Sequence, residues 1–103
     1  MKLGLYSITY SGTWYRGDAL TPEQLVDRAA EVGFDGVELD LKRPHGFPLD
    51  WSEDSRKRFA EYAASKKIEL PAMASNNNFS SPIPELRENE LVMVHEQLKL
   101  TRD

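Results

Sequence analysis

The sequence predicts an α/β fold in which parallel strands alternate with helices that cover their outer face, in three βα units. One observation is the segment Gly33-Phe34-Asp35-Gly36-Val37-Glu38-Leu39-Asp40. A helix that stops on glycine and passes at once into a Val-Glu-Leu strand is the αβ join of a parallel repeat. A second is the spacing of the strand-like segments, roughly 30 to 40 residues apart, which is the size of a βα unit. A third is that polar, aromatic and prolyl residues gather after the strands, while the helix-to-strand joins are short.

The first strand is read near residues 2–8. A polar and aromatic loop with Gly12 and Gly17 follows, up to Leu20. The first helix is expected near 21–33, with Thr21 as N-cap, Pro22 as first helical residue and Gln24 as the capping-box partner. Leu25, Ala29 and Val32 recur at helical spacing and predict its buried stripe. The second strand is read near 36–40. The Pro/Gly-rich loop from Lys42 to Trp51 excludes helix and sheet. Asp50 or Ser52 is suited to cap a second helix near 52–67, whose shallow apolar face is Phe59, Ala60, Ala63 and Ala64. The third strand is read near 68–74. Pro71 within it has no N–H for a ladder, which fits an edge strand or the start of pairing. After a polar loop, a third helix is expected near 84–100, with Leu91, Val94 and Leu98 as its apolar face.

Strand periodicity puts Glu38 and Asp40 on one face of the second strand and Val37 and Leu39 on the other. A parallel strand covered on both faces reads as a continuous apolar run, and this one does not. One face therefore packs on helices while the other meets something polar. With polar residues clustered in the βα loops, this is the pattern of the catalytic end of a (β/α)8 barrel. Gly12 and Gly17 lack G-x-G-x-x-G spacing, so a dinucleotide fold has no positive support.

The 103 residues amount to one domain at most, and 40% hydrophobic content marks a globular chain. The net charge of −4 argues against nucleic acid, because phosphate binding needs a concentrated basic face; Lys66-Lys67 is too short for one and suits a helix C-terminus. Without cysteine there is no disulfide framework and no thiolate metal site. No stretch is apolar enough to span a bilayer, and the N-terminus lacks a signal-peptide pattern, so a cytoplasmic setting is expected.

The opening Lys2-Leu3-Gly4-Leu5-Tyr6-Ser7, the join Glu31-Val32-Gly33-Phe34-Asp35-Gly36-Val37-Glu38-Leu39 and the segment Ala72-Met73-Ala74-Ser75-Asn76 together resemble the xylose isomerase-like TIM-barrel superfamily of sugar phosphate isomerases and epimerases. The resemblance implies the N-terminal (βα)3 portion of a TIM (β/α)8 barrel, since a whole barrel takes about 250 residues. On that reading the chain is a truncated product, a fragment or a split subunit. The resemblance also implies a divalent metal (Mn, Mg or Zn) in the complete enzyme, with ligands on later strands and none held by this chain alone. Its expected substrate is a sugar or sugar phosphate. Dehydratases, lyases and DNA-repair nucleases share the superfamily, but the acidic charge and Asn76 in place of a histidine disfavour the nuclease reading. A different class of reading is a non-catalytic (βα)3 module that completes a barrel by self-association or with a complementing segment.

Within this frame Glu38 is the first catalytic candidate, because an inward charge at a strand's C-terminal end is costly unless paired or used. Pairing with Lys42 or Arg43 is its structural alternative. His45, held between Pro44 and Gly46, is the second, since imidazole titrates near neutrality; a surface loop histidine is the alternative. Substrate-binding candidates are Asp40, on the Glu38 face; Arg43, suited to bidentate phosphate or carboxylate binding; Tyr6 and Trp14, whose rings can pack on a sugar; and Asn76 and Asn77, suited to sugar hydroxyls or simply to a turn. His95 lies mid-helix and reads as a helix-surface histidine.

Overall fold

The computed structural model describes residues 1–12 and 17–103. Its elements are β1 (Gly4–Tyr6), α1 (Pro22–Val32), β2 (Gly36–Asp40), α2 (Glu53–Ser65), β3 (Met73–Ala74) and α3 (Pro84–Arg102), with short 3-10 turns at Ser7–Tyr10 and Pro48–Asp50. The strands form one parallel sheet in the order β1-β2-β3. Trp14, a candidate from the sequence, lies outside the described residues.

Local chemistry sets α1. Gln24 N donates to Thr21 Oγ1 at 3.2 Å, and Thr21 N donates to Gln24 Oε1 at 2.9 Å. These bonds satisfy two backbone donors that a helix start leaves unpaired. Gly33 closes the helix with φ 95°, a left-handed conformation that costs a residue with a Cβ but not glycine. Ser52 caps α2 by accepting from Ser55 N at 3.1 Å.

Leu5, Val37 and Leu39 leave the sheet on the helix side and join Leu25, Val26, Ala29, Phe59, Ala63 and Ile68 in the core. Each fully buried Leu, Val or Phe stabilises by roughly 1.5–3 kcal/mol relative to exposure. The opposite face carries Gly4, Tyr6, Glu38 and Asp40, exposed or half-buried. The alternation along β2 therefore separates an apolar outer side from a polar inner side.

Four expectations are corrected. β1 is shorter than read, because Ser7 leaves the ladder and turns its hydroxyl to the Asp40 amide at 2.8 Å. β3 is interrupted: Glu69 bridges Gly36, a register of 33 residues, whereas Met73 pairs Leu39, a register of 34. The extra residue falls around Pro71, which has no N–H to offer the ladder. In α1 the buried residues are Leu25, Val26 and Ala29, while Val32 is 55% exposed; it is the last helical residue, with the Gly33 turn directly behind it. In α3 the buried residues are Gln97 and Leu100, and Leu91 and Leu98 are exposed. This helix is rotated from the face that its apolar spacing predicts, because the body offers it the loop after β2 and the first turn of α2. Arg56 meets Asp103 there at 3.0 Å, both side chains largely buried.

Candidate functional site

Tyr6, the last residue of β1, is the register partner of Glu38, the middle residue of β2. Asp40, two residues on, lies on the same face. Among the described residues neither Glu38 nor Asp40 forms a salt bridge, and Arg43, one of the two cations expected for Glu38 beside Lys42, is engaged elsewhere: it holds Asp50 through two 2.9 Å bonds. Asp40 Oδ1 is buried with no hydrogen-bond partner among the described residues. Partial burial raises the Tyr6 pKa above its ordinary value, and the Asp40 and Glu38 carboxylates raise it further. The inner face thus presents a protonated phenol beside two carboxylates, a donor and two acceptors on adjacent strands.

Ser7 was not among the sequence candidates. Its hydroxyl, fully buried, accepts the Asp40 amide and ties the ends of β1 and β2 together. The available signal was a hydroxyl directly after Tyr6, where a strand end needs a polar partner.

His45 lies away from this face. It is 2% exposed, and its Nε2 is 2.8 Å from the Leu20 carbonyl. The carbonyl can only accept, so Nε2 carries the proton. Burial lowers the imidazole pKa, opposed by the Leu20 bond and by Asp40. Trp51 Nε1 donates to the His45 carbonyl at 2.9 Å, and the Trp51 ring meets Phe59 edge-on at 5.2 Å. Gly46 allows the same loop to approach β2: a Cβ there would lie 2.4 Å from the Asp40 carbonyl oxygen. His45 therefore anchors the β2–α2 loop against Leu20, in the segment that leads into α1.

Arg43, Asn76 and Asn77 come together in a second place, a cavity of about 380 Å³ between the β2–α2 loop, the segment after β3 and α3. The Arg43 guanidinium lies 4.3 Å over the Phe47 ring, and Asn77 Nδ2 donates to Glu90 Oε2 at 2.6 Å. The candidates thus divide into an inner-face group, a cavity group and a buried histidine.

Residues 26–103 match the xylose isomerase-like TIM barrel family. The chain belongs to this family. Its structure is similar to that of D-psicose 3-epimerase with D-tagatose from Clostridium cellulolyticum H10, with a TM-score of 0.69 and 25% identity. The likeness covers 97% of this chain and 33% of the epimerase, so the chain spans about a third of that enzyme's length. No curated protein sequence matches the chain. The three parallel strands and their helices are thereby part of a TIM barrel, and the polar face of β1 and β2 is the face that such a barrel turns inward. The family is typically metal-dependent. Among the described residues no three His, Asp or Glu side chains converge as a ligand set, so these residues alone do not fit a metal. No helix among the described residues is long and apolar enough to cross a membrane.

Proposed function

We propose that this chain is the N-terminal part of a metal-dependent sugar or sugar-phosphate isomerase or epimerase, and that it supplies the early-strand wall of the substrate pocket. The observation that carries this reading is the grouping of Tyr6, Glu38 and Asp40 on the inner face toward the strand ends, with neither carboxylate in a salt bridge among the described residues. Family membership and the likeness to an epimerase that binds a ketose support it. The divalent metal in this reading is held by side chains outside this chain. In such reactions a proton beside the substrate carbonyl is moved by a positioned base. Glu38 is the carboxylate assigned to that work, Asp40 and Tyr6 bind substrate hydroxyls, and Tyr6 offers its ring to the sugar. The catalytic role read for His45 from the sequence gives way to loop anchoring, because its Nε2 is committed to Leu20.

The test is complementation. The purified chain, alone, is assayed with manganese, magnesium or zinc and a panel of ketoses and ketose phosphates, then mixed with the remaining two-thirds of the epimerase barrel. No turnover alone and turnover in the mixture is the expected result. Glu38→Gln should reduce the complemented rate by about 100-fold or more. Turnover by the isolated chain, or an active Glu38→Gln mixture, would overturn the reading.

The exposure of Gly4 and Tyr6 on the inner face favours a second reading, a (βα)3 module that completes a barrel by association. Parallel sheets are normally covered on both sides, and open strand edges are templates for pairing. Sedimentation across a dilution series separates it from a stable monomer.

A further inference from the structure

We propose that the cavity between the β2–α2 loop and α3 binds an uncharged, polyhydroxylated small molecule, at a site separate from the inner face. None of Tyr6, Glu38 and Asp40 lines it. Its volume of about 380 Å³ falls in the usual range of small-molecule sites, roughly 300–1,000 Å³.

The class of ligand follows from the walls. Four carboxamides contribute to the lining, Asn76, Asn77, Asn89 and Gln97. A carboxamide donates through its NH2 and accepts through its oxygen, which matches a hydroxyl that also does both. Fixed charge in the lining is close to balanced. Arg43 is neutralised by Asp50, and Glu90 stands opposite Lys42 in sign. The net charge of the lining therefore favours neither a strongly anionic nor a strongly cationic ligand. Phe47 and Met93 supply apolar surface for the C–H edges of such a molecule.

A separate observation points to a missing donor. Gln97 is 4% exposed, yet its Oε1 has no hydrogen-bond partner among the described residues, and neither does the buried Oδ1 of Asn77. Leaving a buried acceptor unpaired costs about 1–3 kcal/mol, and native interiors rarely do so. Both residues line the same cavity. A ligand hydroxyl supplies the donor that both oxygens lack.

The experiment is an NMR titration of the full 103-residue chain with D-mannitol, and with 1,6-hexanediol as the alcohol lacking vicinal hydroxyls. The side-chain NH2 signals of Asn76, Asn77, Asn89 and Gln97 should move saturably with mannitol and not with hexanediol. Gln97→Met, apolar and of similar size, should weaken mannitol binding about tenfold, the effect of losing one buried hydrogen bond. The same variant should raise the melting temperature of the unliganded chain, because it removes an unpaired acceptor. If Gln97→Met does not fold, Asn89→Ala, at an exposed position, should still weaken binding several-fold. Non-saturating shifts, equal response to both alcohols, or binding unchanged in the variants would overturn the proposal. Shifts confined to Tyr6, Glu38 and Asp40 would also overturn it while leaving the inner-face reading intact.

Discussion

The backbone amide of Asp40 donates a 2.8 Å hydrogen bond to the Ser7 hydroxyl. The bond joins the ends of two strands where ladder pairing has stopped, and Ser7 is fully buried. It holds the inner-face carboxylate of Asp40 in line with Tyr6 and Glu38. Ser7→Ala leaves that N–H without a partner and should lower stability by about 1–3 kcal/mol, read from the urea midpoint at constant slope. A variant as stable as the parent would show that the bond does not hold the strand ends.

Gly46 faces the Asp40 carbonyl so closely that an added Cβ would sit 2.4 Å from its oxygen. The obstacle is backbone, so the loop itself must shift. Gly46→Ala should cost about 1–3 kcal/mol, as overpacking does. Hydrogen exchange should locate the loss in the β2–α2 loop, with faster exchange at the His45 and Gly46 amides, both of which donate to Lys42 O.

His45 sets a pH dependence. Its folded pKa is lowered from 6.5, chiefly by burial. Below pH 6.5 the unfolded chain therefore binds more protons at this residue than the folded chain, so stability rises with pH in that range and falls on acidification. The loss begins near the unfolded value and levels off once pH is below the folded one. An NMR titration of the His45 imidazole should give a midpoint under 6.5, and urea midpoints at pH 7.5 and 5.5 should differ in favour of pH 7.5. A midpoint above 6.5 would reverse the sign.

Glu38 and Asp40 carry like charges on one face without a salt bridge among the described residues. Replacing either by its amide removes repulsion and breaks no ion pair. Glu38→Gln and Asp40→Asn should each leave stability within about 0.5 kcal/mol of the parent, as for substitutions away from structural features, or raise it slightly. Thermal melts at low salt check this. A loss of several kcal/mol in either would mean that the carboxylate is a structural partner.

The parts of this protein that its sequence determined are those decided by near neighbours. Thr21, Pro22, Gln24 and Gly33 start and stop α1 through contacts reaching no more than four residues, and those bonds are present. The period-two alternation from Val37 to Asp40 assigned the polar and apolar faces of β2, because pleating allows no other arrangement. Tertiary structure decided the rest. His45 reads as a catalytic candidate, or else a surface loop histidine, and only the fold shows its Nε2 bonded to Leu20, 25 residues earlier. Arg43 reads as an anion binder until Asp50 occupies it. The spacing of Leu91, Val94 and Leu98 predicts one face of α3, but burial went to Gln97 and Leu100, since a helix buries whatever side its neighbours cover. Pro71 signalled trouble in β3, yet the size of the register shift depended on where β2 could still pair. Caps and alternation are short-range chemistry written in adjacent residues; partners across the fold are chosen by packing, and no local pattern encodes them.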